Sequence, residues 1–401
     1  MSASNNYGSN FLLSLETQGI KLGLERTKKL LHICKNPEQK IKSIQIIGTN
    51  GKGSTASSLS SILEQKNLKV GLYTSPHLIK LHERIQINRQ HITDDYIDNF
   101  IKTYHQNIIS LSCTFFEVIT VIAIKYFAEN DVDIAILETG LGGQFDSVTA
   151  CEPSLQLFTS ISKDHMHILG NTLDEIATEK AKAIQPNTPC ISVNQNDSIK
   201  NILNYFAKKN STTITYNYDT FDKLPEIPLL GDHQKENISL AIKAAHHLID
   251  IKINDIIKGI QNIYWPGRNQ IINRNPTIIF DVAHNESSLI EFCKSMELLN
   301  IKGEKILLIS IQKTKKIKNA TYNLIDYFDK IICISINDRM YTTTNLNNLF
   351  NQSKDVKTSD NPNHVINKIV KNLKQDDLFA IIGSHYWGAF IEKSFKNSFV
   401  S

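Results

Sequence analysis

The stretch that most restricts the fold is IIGTNGKGSTASSLSSIL, residues 46–63. A short apolar run typical of a buried strand is followed by a glycine-rich turn, and then by a segment whose apolar residues recur at helical spacing. Such a turn presents backbone N–H groups and a helix N-terminus to an anion. Lys52, between Gly51 and Gly53, adds a positive charge. The stretch therefore predicts a strand–turn–helix unit that binds phosphate.

The spacing of this loop differs from the usual phosphate loop, in which the Lys directly precedes Ser or Thr. Here Gly53 separates Lys52 from Ser54. A plain strand–helix turn is the alternative, but it has no need of a Lys between two glycines. We predict a nucleotide-binding loop of variant spacing, formed by Thr49, Asn50, Gly51, Lys52, Gly53 and Ser54.

Strand-like and helix-like segments alternate along the first two thirds of the chain. SIQIIG, KVGLYTS, VDIAILE and SLQLFTSIS are typical of buried strands, and FFEVITVIAIKYFAEN and NTLDEIATEKAKAI of helices. The second helix has Thr172 and Glu175 at the spacing of a capping box. This alternation indicates an α/β fold with a mostly parallel sheet flanked by helices.

The turn-rich segment YWPGRN is followed by a new start, TIIFDVAHN, and by the apolar runs KILLIS, KIICISI and LFAIIGS. We predict a second, smaller α/β domain here. The predicted boundaries are residues 1–265 for an N-terminal nucleotide-binding domain and residues 266–401 for a C-terminal domain. The basic cluster Lys313 to Lys318 is interpreted as a solvated loop.

Composition excludes several classes of protein. The net charge of +4 over 401 residues is too small to indicate a nucleic-acid partner. The six cysteines show no paired spacing, so neither a disulfide framework nor a zinc site is indicated. MSASNNYGSN carries no basic signal-peptide region, and no apolar run reaches the ~18 residues of a membrane helix. We expect a soluble, cytoplasmic protein without a membrane partner.

GTNGKGST at 48–55 resembles the loop of the Mur ligase superfamily. Further motifs narrow the resemblance to the folylpolyglutamate synthase/dihydrofolate synthase family, bacterial bifunctional type. They follow one another over nearly the whole chain: GLERTKKLL at 23–31, GLYTSPHL at 71–78, ERI at 83–85, LETGLGG at 137–143, DHMHILGNTLDEIATEKA at 164–181, GDHQKEN at 231–237, WPGR at 265–268, DVAHN at 281–285 and GSHY at 383–386.

The resemblance implies a Mur-ligase central domain of the P-loop type, with a Rossmann-like C-terminal domain that closes on ATP and binds glutamate. It also implies an ATP-dependent ligase that joins L-glutamate to dihydropteroate, to tetrahydrofolate, or to both. The carboxylate would react through an acyl phosphate, with ADP and phosphate released. We expect a monomer whose partners are ATP, L-glutamate and the pterin substrate.

Glu138 ends a predicted buried strand, where open α/β sheets place ligands. By resemblance it is a magnesium ligand together with Ser75, His165 and a carbamylated Lys180, and two Mg²⁺ ions are expected. The family assigns further ATP contacts to Asn237, Arg268 and Asp281. Lys52, Lys180 and His284 are the expected catalytic residues, although a structural hydrogen bond in the DVAHN loop would explain His284 equally well.

The pterin pocket is expected at two segments, by resemblance. These are Thr114, Phe115, Phe116 and Glu117, and Phe145, Asp146 and Ser147. As isolated stretches, such aromatics are more often core residues. Residues 144–149 read QFDSVT where the family commonly has RLDATN, Lys182 stands where glycine is usual, and Glu286 replaces a proline.

Three functions stay open at this point. The leading one is the glutamate ligase, with dihydrofolate synthesis ranked before polyglutamylation. The second is a Mur-type ligase for a cell-wall precursor, which GLER and TSPHL oppose. The third is a catalytically weakened nucleotide-binding relative, which the altered 144–149 segment would suit. The retained residues oppose it: Lys52, Glu138, His165, Lys180 and Arg268.

Overall fold

The computed structural model describes residues 7–19, 21–217, 225–350, 356–359, 361–396 and 398–399. The chain forms two compact units. The first comprises Met1–Ile161, Leu169–Glu226 and Glu236–Ile263, and the second comprises Ser162–Ile168, Ile227–Lys235 and Tyr264–Ser401. Within the described residues, no helix has both the length and the apolar character needed to span a membrane.

The first unit is built on an eight-stranded sheet, sheet A, with the order β4-β3-β2-β5-β1-β6-β7-β8. Its pairs are parallel except those that β3 makes with β2 and β4. The strands are β1 (Ser43–Ile47), β2 (Val70–Tyr73), β3 (Ile85–Ile87), β4 (Gln90–His91), β5 (Ile134–Glu138), β6 (Leu155–Phe158), β7 (Cys190–Val193) and β8 (Ile214–Asn217).

Helices precede, connect and follow these strands. They are α1 (Tyr7–Ser14), α2 (Glu25–Ile33), α3 (Lys52–Glu64), α4 (Asp94–Ser110), α5 (Phe115–Glu129), α6 (Met166–Leu169), α7 (Leu173–Ala181), α8 (Asp197–Lys209), α9 (Asp232–Leu248) and α10 (Ile253–Gln261). Short 3-10 helices cover Leu15–Gln18, Pro37–Lys40, Leu81–Arg84 and Ser147–Cys151. Parallel sheets covered on both faces have nearly continuous apolar strands, and every residue of β1 and β5 is buried.

The second unit contains a six-stranded sheet, sheet B, with the order β13-β12-β11-β14-β10-β9, and only β9 runs antiparallel to its neighbour among the described pairs. The strands are β9 (Gln270–Arg274), β10 (Thr277–Asp281), β11 (Lys305–Ile309), β12 (Lys330–Ile334), β13 (Val356–Ser359) and β14 (Leu378–Ile382). The helices are α11 (Glu286–Glu297), α12 (Lys318–Tyr327), α13 (Thr343–Leu349), α14 (Pro362–Asn372) and α15 (Gly388–Ser394), with a 3-10 helix at His385–Trp387. The predicted α/β class, with a large mostly parallel sheet and a smaller second sheet, is confirmed.

The topology of sheet A brings several predicted site residues to one edge. Neighbouring parallel strands end at the same edge, and in the register Ile46 of β1 lies opposite Glu138 of β5, while Tyr73 of β2 lies opposite Leu137. The loop after β1 holds residues 48–51, and Ser75 follows β2 closely. The glycine-rich loop, Ser75 and Glu138 therefore share the carboxyl edge of sheet A.

Candidate functional site

The glycine-rich loop ends where helix α3 begins, at Lys52. Gly51 precedes the helix with a φ of 85°, a left-handed conformation that favours glycine, and no described side chain caps the helix. A Cβ atom at Gly51 would lie 2.2 Å from Oδ1 of Asn237. The loop thus combines a helix N-terminus without a side-chain cap and a backbone that only glycine fits, as an anion site requires.

Lys52 folds back over this loop. Its Nζ donates hydrogen bonds to the carbonyl oxygens of Thr49, at 3.0 Å, and Gly48, at 3.3 Å. The N–H of Thr49 donates to the carbonyl oxygen of Ser160 at 2.8 Å, which fixes the loop to the segment after β6. The predicted loop residues therefore form one ordered turn with a positive charge over it.

Asn237, the predicted ATP contact on α9, lies beside the loop. Its side chain sits against Gly51, and its carbonyl oxygen accepts a hydrogen bond from Oγ1 of Thr55 at 3.4 Å. The structure brings Asn237 and residues 48–54 together, and the role of Asn237 as an ATP contact stays a prediction.

Glu138 is 4% exposed at the end of β5, and its Oε2 accepts a hydrogen bond from the backbone N–H of Ser75 at 3.0 Å. A carboxylate and a hydroxyl-bearing residue therefore meet at the carboxyl edge of sheet A. Oxygen atoms of this kind, supplemented by substrate phosphate and water, are the ligands that Mg²⁺ prefers.

Lys180 of α7 is 4% exposed, and Ile176 and Ala183 on the same side are fully buried, so Lys180 faces inward. Its Nζ donates to the carbonyl oxygens of Gly48, at 2.7 Å, and Gly142, at 3.4 Å. Lys52 and Lys180 thus both contact the carbonyl of Gly48. By contrast, the side chain of Lys182 is 40% exposed and lies 3.6 Å from Glu179. We call residues 48–54, Ser75, Glu138 and Lys180 the phosphate-loop site.

The predicted metal set is divided between the two units, since Ser75, Glu138 and Lys180 belong to the first and His165 to the second. Within the described ranges, no group of three or more His, Cys, Asp and Glu side chains is arranged to hold a metal. The oxygen atoms of Glu138 and Ser75 fit one Mg²⁺ ion only if phosphate and water complete its shell.

In the second unit, Asp164 is the centre of a group of polar side chains. Its Oδ1 accepts from Nζ of Lys315 at 2.6 Å, and its Oδ2 accepts from Nδ2 of Asn285 at 2.9 Å and lies 3.6 Å from Nε2 of His284. The backbone N–H of His165 also donates to Oδ1 at 2.7 Å. We call Asp164, His165, His284, Asn285 and Lys315 the Asp164 cluster.

Charge determines the ionisation of Asp164. Burial opposes its negative charge, but the nearby His284 ring and the charges of His165 and Lys315 outweigh burial, so its pKa lies below the ordinary value. His165 has a φ of 48°, in the left-handed region, and its Nε2 lies 3.3 Å from Nζ of Lys315. The cluster thus fixes His165 through its backbone and its ring.

Sequence reasoning missed Asp164 and Lys315 as site residues. The interpretation of Lys313 to Lys318 as a solvated loop is wrong for Lys315, which is 5% exposed. The signal in the sequence was Ile317, the one apolar residue among residues 313–318, because Lys315 stands two positions before it. The structure buries both, while Lys316 and Lys318 are exposed. A Lys that shares the inward side with an Ile requires a buried partner of opposite charge, here Asp164.

Asp281, at the end of β10, accepts backbone hydrogen bonds from the N–H groups of Asn269 and Ala283, both at 2.6 Å. Burial raises its pKa. Arg268 donates to the carbonyl oxygen of Gly267 at 3.1 Å, and its guanidinium carbon lies 6.0 Å from the centre of the Trp265 ring. Asp281 therefore joins the WPGR and DVAHN loops within the second unit.

His284 also has the structural hydrogen bond that the sequence analysis left as an alternative. Its Nδ1 lies 2.8 Å from the carbonyl oxygen of Val282. Its Nε2 faces Asp164 at 3.6 Å. The ring is therefore oriented from both sides.

The first predicted pterin segment starts helix α5. Thr114 and Glu117 form a capping box, and Glu117 also accepts from Nε of Arg26 at 2.8 Å. Phe115 belongs to the hydrophobic core. Phe116 is partly buried, and a Cβ atom at Gly140 would lie 2.2 Å from its ring. Thr114 and Glu117 therefore cap the helix, and Phe115 packs in the core. The ring of Phe116 instead lies against Gly140, in the loop that follows β5.

In the second pterin segment, Asp146 organises the same loop. Its Oδ2 accepts from the N–H groups of Gly140 and Leu141, both at 2.9 Å, and its Oδ1 accepts from Val148 at 3.0 Å. Burial raises the pKa of Asp146 to about 6, although these backbone bonds oppose the change.

The two neighbours of Asp146 differ in exposure. Ser147 is buried and accepts from Oγ1 of Thr27 at 3.2 Å. Phe145 is 40% exposed, so its ring is the accessible apolar surface of this segment.

Comparison with known proteins agrees with this arrangement. The family model described as the Mur ligase middle domain matches residues 46–253. The dihydrofolate synthase/folylpolyglutamate synthase of Bacillus subtilis is 30% identical, with 94% of this chain and 96% of the relative covered. A probable bifunctional folylpolyglutamate synthase/dihydropteroate synthase of Halobacterium salinarum is 34% identical over 69% of this chain, which spans 37% of that protein's length.

Solved structures show the same fold. Escherichia coli FolC in complex with DHPP and ADP superimposes with a TM-score of 0.85 at 24% identity, with 98% of each chain covered. A bifunctional folylpolyglutamate synthase/dihydrofolate synthase with Mn, AMPPNP and L-glutamate bound gives 0.87 at 24% identity, with 98% of this chain and 99% of that chain covered. The predicted Mur-ligase fold is confirmed. This chain belongs to the Mur ligase superfamily and, within it, to the dihydrofolate synthase/folylpolyglutamate synthase family.

Proposed function

We propose that this chain is an ATP-dependent ligase that forms an amide between L-glutamate and the carboxylate of dihydropteroate, tetrahydrofolate, or both. The observation that carries the proposal is the phosphate-loop site, where Lys52 and Lys180 both contact the carbonyl of Gly48 beside a helix N-terminus. The names of the covered relatives support the choice of substrates.

The chemistry follows from the poor reactivity of a free carboxylate. A carboxylate oxygen attacks the γ-phosphorus of ATP, the bond to ADP breaks, and an acyl phosphate forms. The glutamate amine then attacks the acyl carbon, the C–O bond to phosphate breaks, and the amine loses a proton. The loop N–H groups and Lys52 would bind the phosphates and stabilise the charge that develops on them.

A divalent cation would neutralise part of this charge, and the solved relative with Mn and AMPPNP supports one. We assign Mg²⁺ to Glu138 and Ser75, with His165 and Lys180 at a second ion. Carbamylation by CO₂ requires a neutral amine, and the candidate amine of Lys180 belongs to a residue that is 4% exposed. Carbon-13 NMR of protein equilibrated with labelled bicarbonate would test this, because a carbamate signal should appear in the wild type and not in Lys180→Ala.

The remaining assignments are proposals as well. Arg268 and Asp281 would contact ATP from the C-terminal domain, residues 266–401, and Asn237 from the N-terminal domain, residues 1–265. His284 would act near the transferred phosphoryl group. Phe116 and Phe145 would contact the pterin ring. A cytoplasmic monomer without a nucleic-acid partner stays a prediction.

A substrate panel tests the function. ATP, Mg²⁺ and L-glutamate are supplied with dihydropteroate, tetrahydrofolate or a UDP-muramyl precursor, and nucleotide products are separated. We expect ADP and phosphate, released only when glutamate and a pterin are both present, with dihydropteroate turned over. Turnover of the muramyl precursor alone would identify a cell-wall ligase, and pterin-independent hydrolysis a weakened relative. AMP and pyrophosphate would contradict the acyl-phosphate mechanism.

A further inference from the structure

Two buried amides lie in the middle of sheet A. Gln45 of β1 and Gln156 of β6 are both 0% exposed, and they are directly opposite each other in the register of these parallel strands. A buried amide is costly unless its hydrogen bonds are made, whereas an apolar side chain would fill such a position without that cost. The pair therefore requires a reason beyond packing.

The hydrogen bonds of Gln156 run toward the end of α7. Its Nε2 donates to Oε1 of Gln45 at 2.7 Å and to the carbonyl oxygen of Ala183 at 2.8 Å. Its Oε1 accepts from the N–H of Gln185 at 2.8 Å. This side chain thus connects the central strand to the turn that follows the helix carrying Lys180.

The hydrogen bonds of Gln45 run in the other direction. Its Nε2 donates to Oγ1 of Thr149 at 2.7 Å, and that hydroxyl donates to the carbonyl oxygen of Gly143 at 2.7 Å. Gln45, Gln156 and Thr149 therefore form one continuous chain of hydrogen bonds, which we call the amide ladder. The amide orientations are fixed, because each nitrogen donates and each oxygen accepts.

The two ends of the amide ladder flank Lys180. At one end, the N–H of Ala183 donates to the carbonyl oxygen of Lys180 at 3.1 Å. At the other end, Gly143 packs so closely on α7 that an added Cβ atom would lie 2.8 Å from that same carbonyl oxygen. The neighbouring Gly142 supplies one of the two carbonyls that accept from Nζ of Lys180.

We propose that Gln45, Gln156 and Thr149 are positioning residues, which fix the Lys180 side chain against the carbonyl of Gly48 and so shape the phosphate-loop site. Satisfied polar networks of this kind make a buried region rigid and specify one arrangement. The inference rests on the proposed function for the identity of the reaction, but its direct consequence is the affinity for Mg²⁺-ATP.

Thr149 offers the sharpest test, since Thr149→Ser keeps the hydroxyl and Thr149→Val replaces it with a methyl group. We expect Thr149→Val to weaken Mg²⁺-ATP binding and to lower kcat by about tenfold, as substitutions behind a metal or phosphate site often do. Thr149→Ser should stay near the wild type. Equal losses in both variants, or none in either, would overturn the inference.

Gln156→Met tests the other end of the ladder, with Thr188→Val as its control. Thr188 is buried and donates to the carbonyl oxygen of Pro153 at 3.3 Å, next to the amino ends of β6 and β7 and away from the carboxyl edge. We expect Thr188→Val to lose stability with unchanged ATP affinity, and Gln156→Met to lose affinity as well. Loss of stability alone in both variants would show that the ladder is only structural.

A double-mutant cycle with Lys180→Ala measures the coupling of Thr149 to Lys180 in Mg²⁺-ATP affinity. A purely structural role of Thr149 would give no such coupling. Once the Lys180 side chain is absent, Thr149→Val should weaken Mg²⁺-ATP binding no further, because coupled residues are not additive. Additive effects would contradict the positioning role. If neither Thr149→Val nor Gln156→Met folds, the ladder is structural and the inference fails.

The ATP-binding measurement separates this inference from the proposed function. If no pterin is ligated but the ladder variants still bind Mg²⁺-ATP more weakly than the wild type, the inference stands and the proposed substrate is wrong. If glutamate ligation is observed and the ladder variants match the wild type, the inference is wrong and the function stands.

Discussion

The phosphate-loop site of the first unit and the Asp164 cluster of the second unit hold their side chains by different means. Lys52 and Lys180 donate to backbone carbonyls, and the amide ladder beneath them is neutral. Asp164 and Lys315 instead hold each other as a buried pair of opposite charges. Neutral partners keep their hydrogen bonds at any moderate pH, whereas a buried ion pair fails when one member loses its charge. The two regions should therefore respond differently to substitution and to acid.

The largest effect is expected at Lys180. Lys180→Ala should lower kcat by about a thousandfold, ~4 kcal/mol, because a buried group that contacts the phosphate loop is removed from where charge develops. The fold should be retained, because Gly48 and Gly142 lie in loops and not in the strands or helices of the core. Steady-state ADP release and circular dichroism measure the two outcomes.

Lys182→Ala is the matched control on the same helix, because its side chain is 40% exposed. It should retain activity. Partial recovery of Lys180→Ala by a small added carboxylate would support the proposed carbamate. Full activity in Lys180→Ala would show that the hydrogen bonds of this side chain to backbone carbonyls do not serve catalysis. The comparison between the phosphate-loop site and the Asp164 cluster would then fail.

Asp164→Asn should give the largest loss of stability in the second unit. It leaves the buried Lys315 ammonium without a counter-charge, which typically costs about 3 kcal/mol or more. Both tryptophans, Trp265 and Trp387, belong to the second unit, so unfolding in urea followed by tryptophan fluorescence reports on it directly.

Asp164→Asn combined with Lys315→Met removes both charges and should recover part of the loss. Glu304→Gln is the control, because the Lys330–Glu304 pair is 24% and 45% exposed and such pairs contribute ~1 kcal/mol or less. An Asp164→Asn loss no greater than that of Glu304→Gln would mean that the cluster does not depend on charge.

Regular patterns in the sequence predicted most of the fold. SIQIIG, VDIAILE and SLQLFTSIS are strands β1, β5 and β6, and the capping box of Thr172 and Glu175 starts α7 as predicted. The antiparallel strands β3, β4 and β9 and the parallel strands β7, β8 and β13 were not predicted. All six are two to five residues long and therefore carry little apolar periodicity.

The candidate site was predictable only where local sequence carries its chemistry. The glycine-rich loop and Glu138 at a strand end could be read from their context. The ion pair of Asp164 and Lys315 joins residues 151 positions apart, so no local pattern records it. The same holds for Gln45 and Gln156, which read as polar interruptions of apolar strands until the register places them side by side.

Lowering the pH should change the contributions of Asp146 and Asp164 to the stability of their units in opposite directions. The pKa of Asp146 is raised from 3.8 to about 6, so its contribution to stability is fully present below pH ~4 and is lost as pH rises through about 6. The pKa of Asp164 is lowered, so its contribution is present above pH ~4 and is lost only as pH falls further.

As pH falls from 7 to 4, the contribution of Asp146 to the stability of the first unit should therefore rise by on the order of 2–3 kcal/mol. The measurement is urea unfolding by circular dichroism at several pH values, with Asp146→Asn as the variant that cannot titrate. Carboxyl NMR should also place the titration of Asp146 near 6. A wild-type profile parallel to that of Asp146→Asn over this range would remove the contrast between the two carboxylates.

The smallest effect is expected for Arg26→Met in the first unit, which removes the cation beside the buried Glu117. Lys315→Met in the second unit is the matched variant, because it removes the cation beside the buried Asp164. Glu117 keeps its neutral partners, the N–H of Thr114 at 2.7 Å and its hydroxyl at 3.0 Å. Arg26 is also 24% exposed at the pair, so Arg26→Met should cost about 1 kcal/mol. Lys315→Met should cost more, because both members of the Lys315–Asp164 pair are buried, at 6% and 8% exposed. Equal losses of stability in the two variants would show that neutral partners do not compensate a buried carboxylate for the loss of its cation. A raised KM for the pterin in Arg26→Met alone would assign Glu117 to substrate binding.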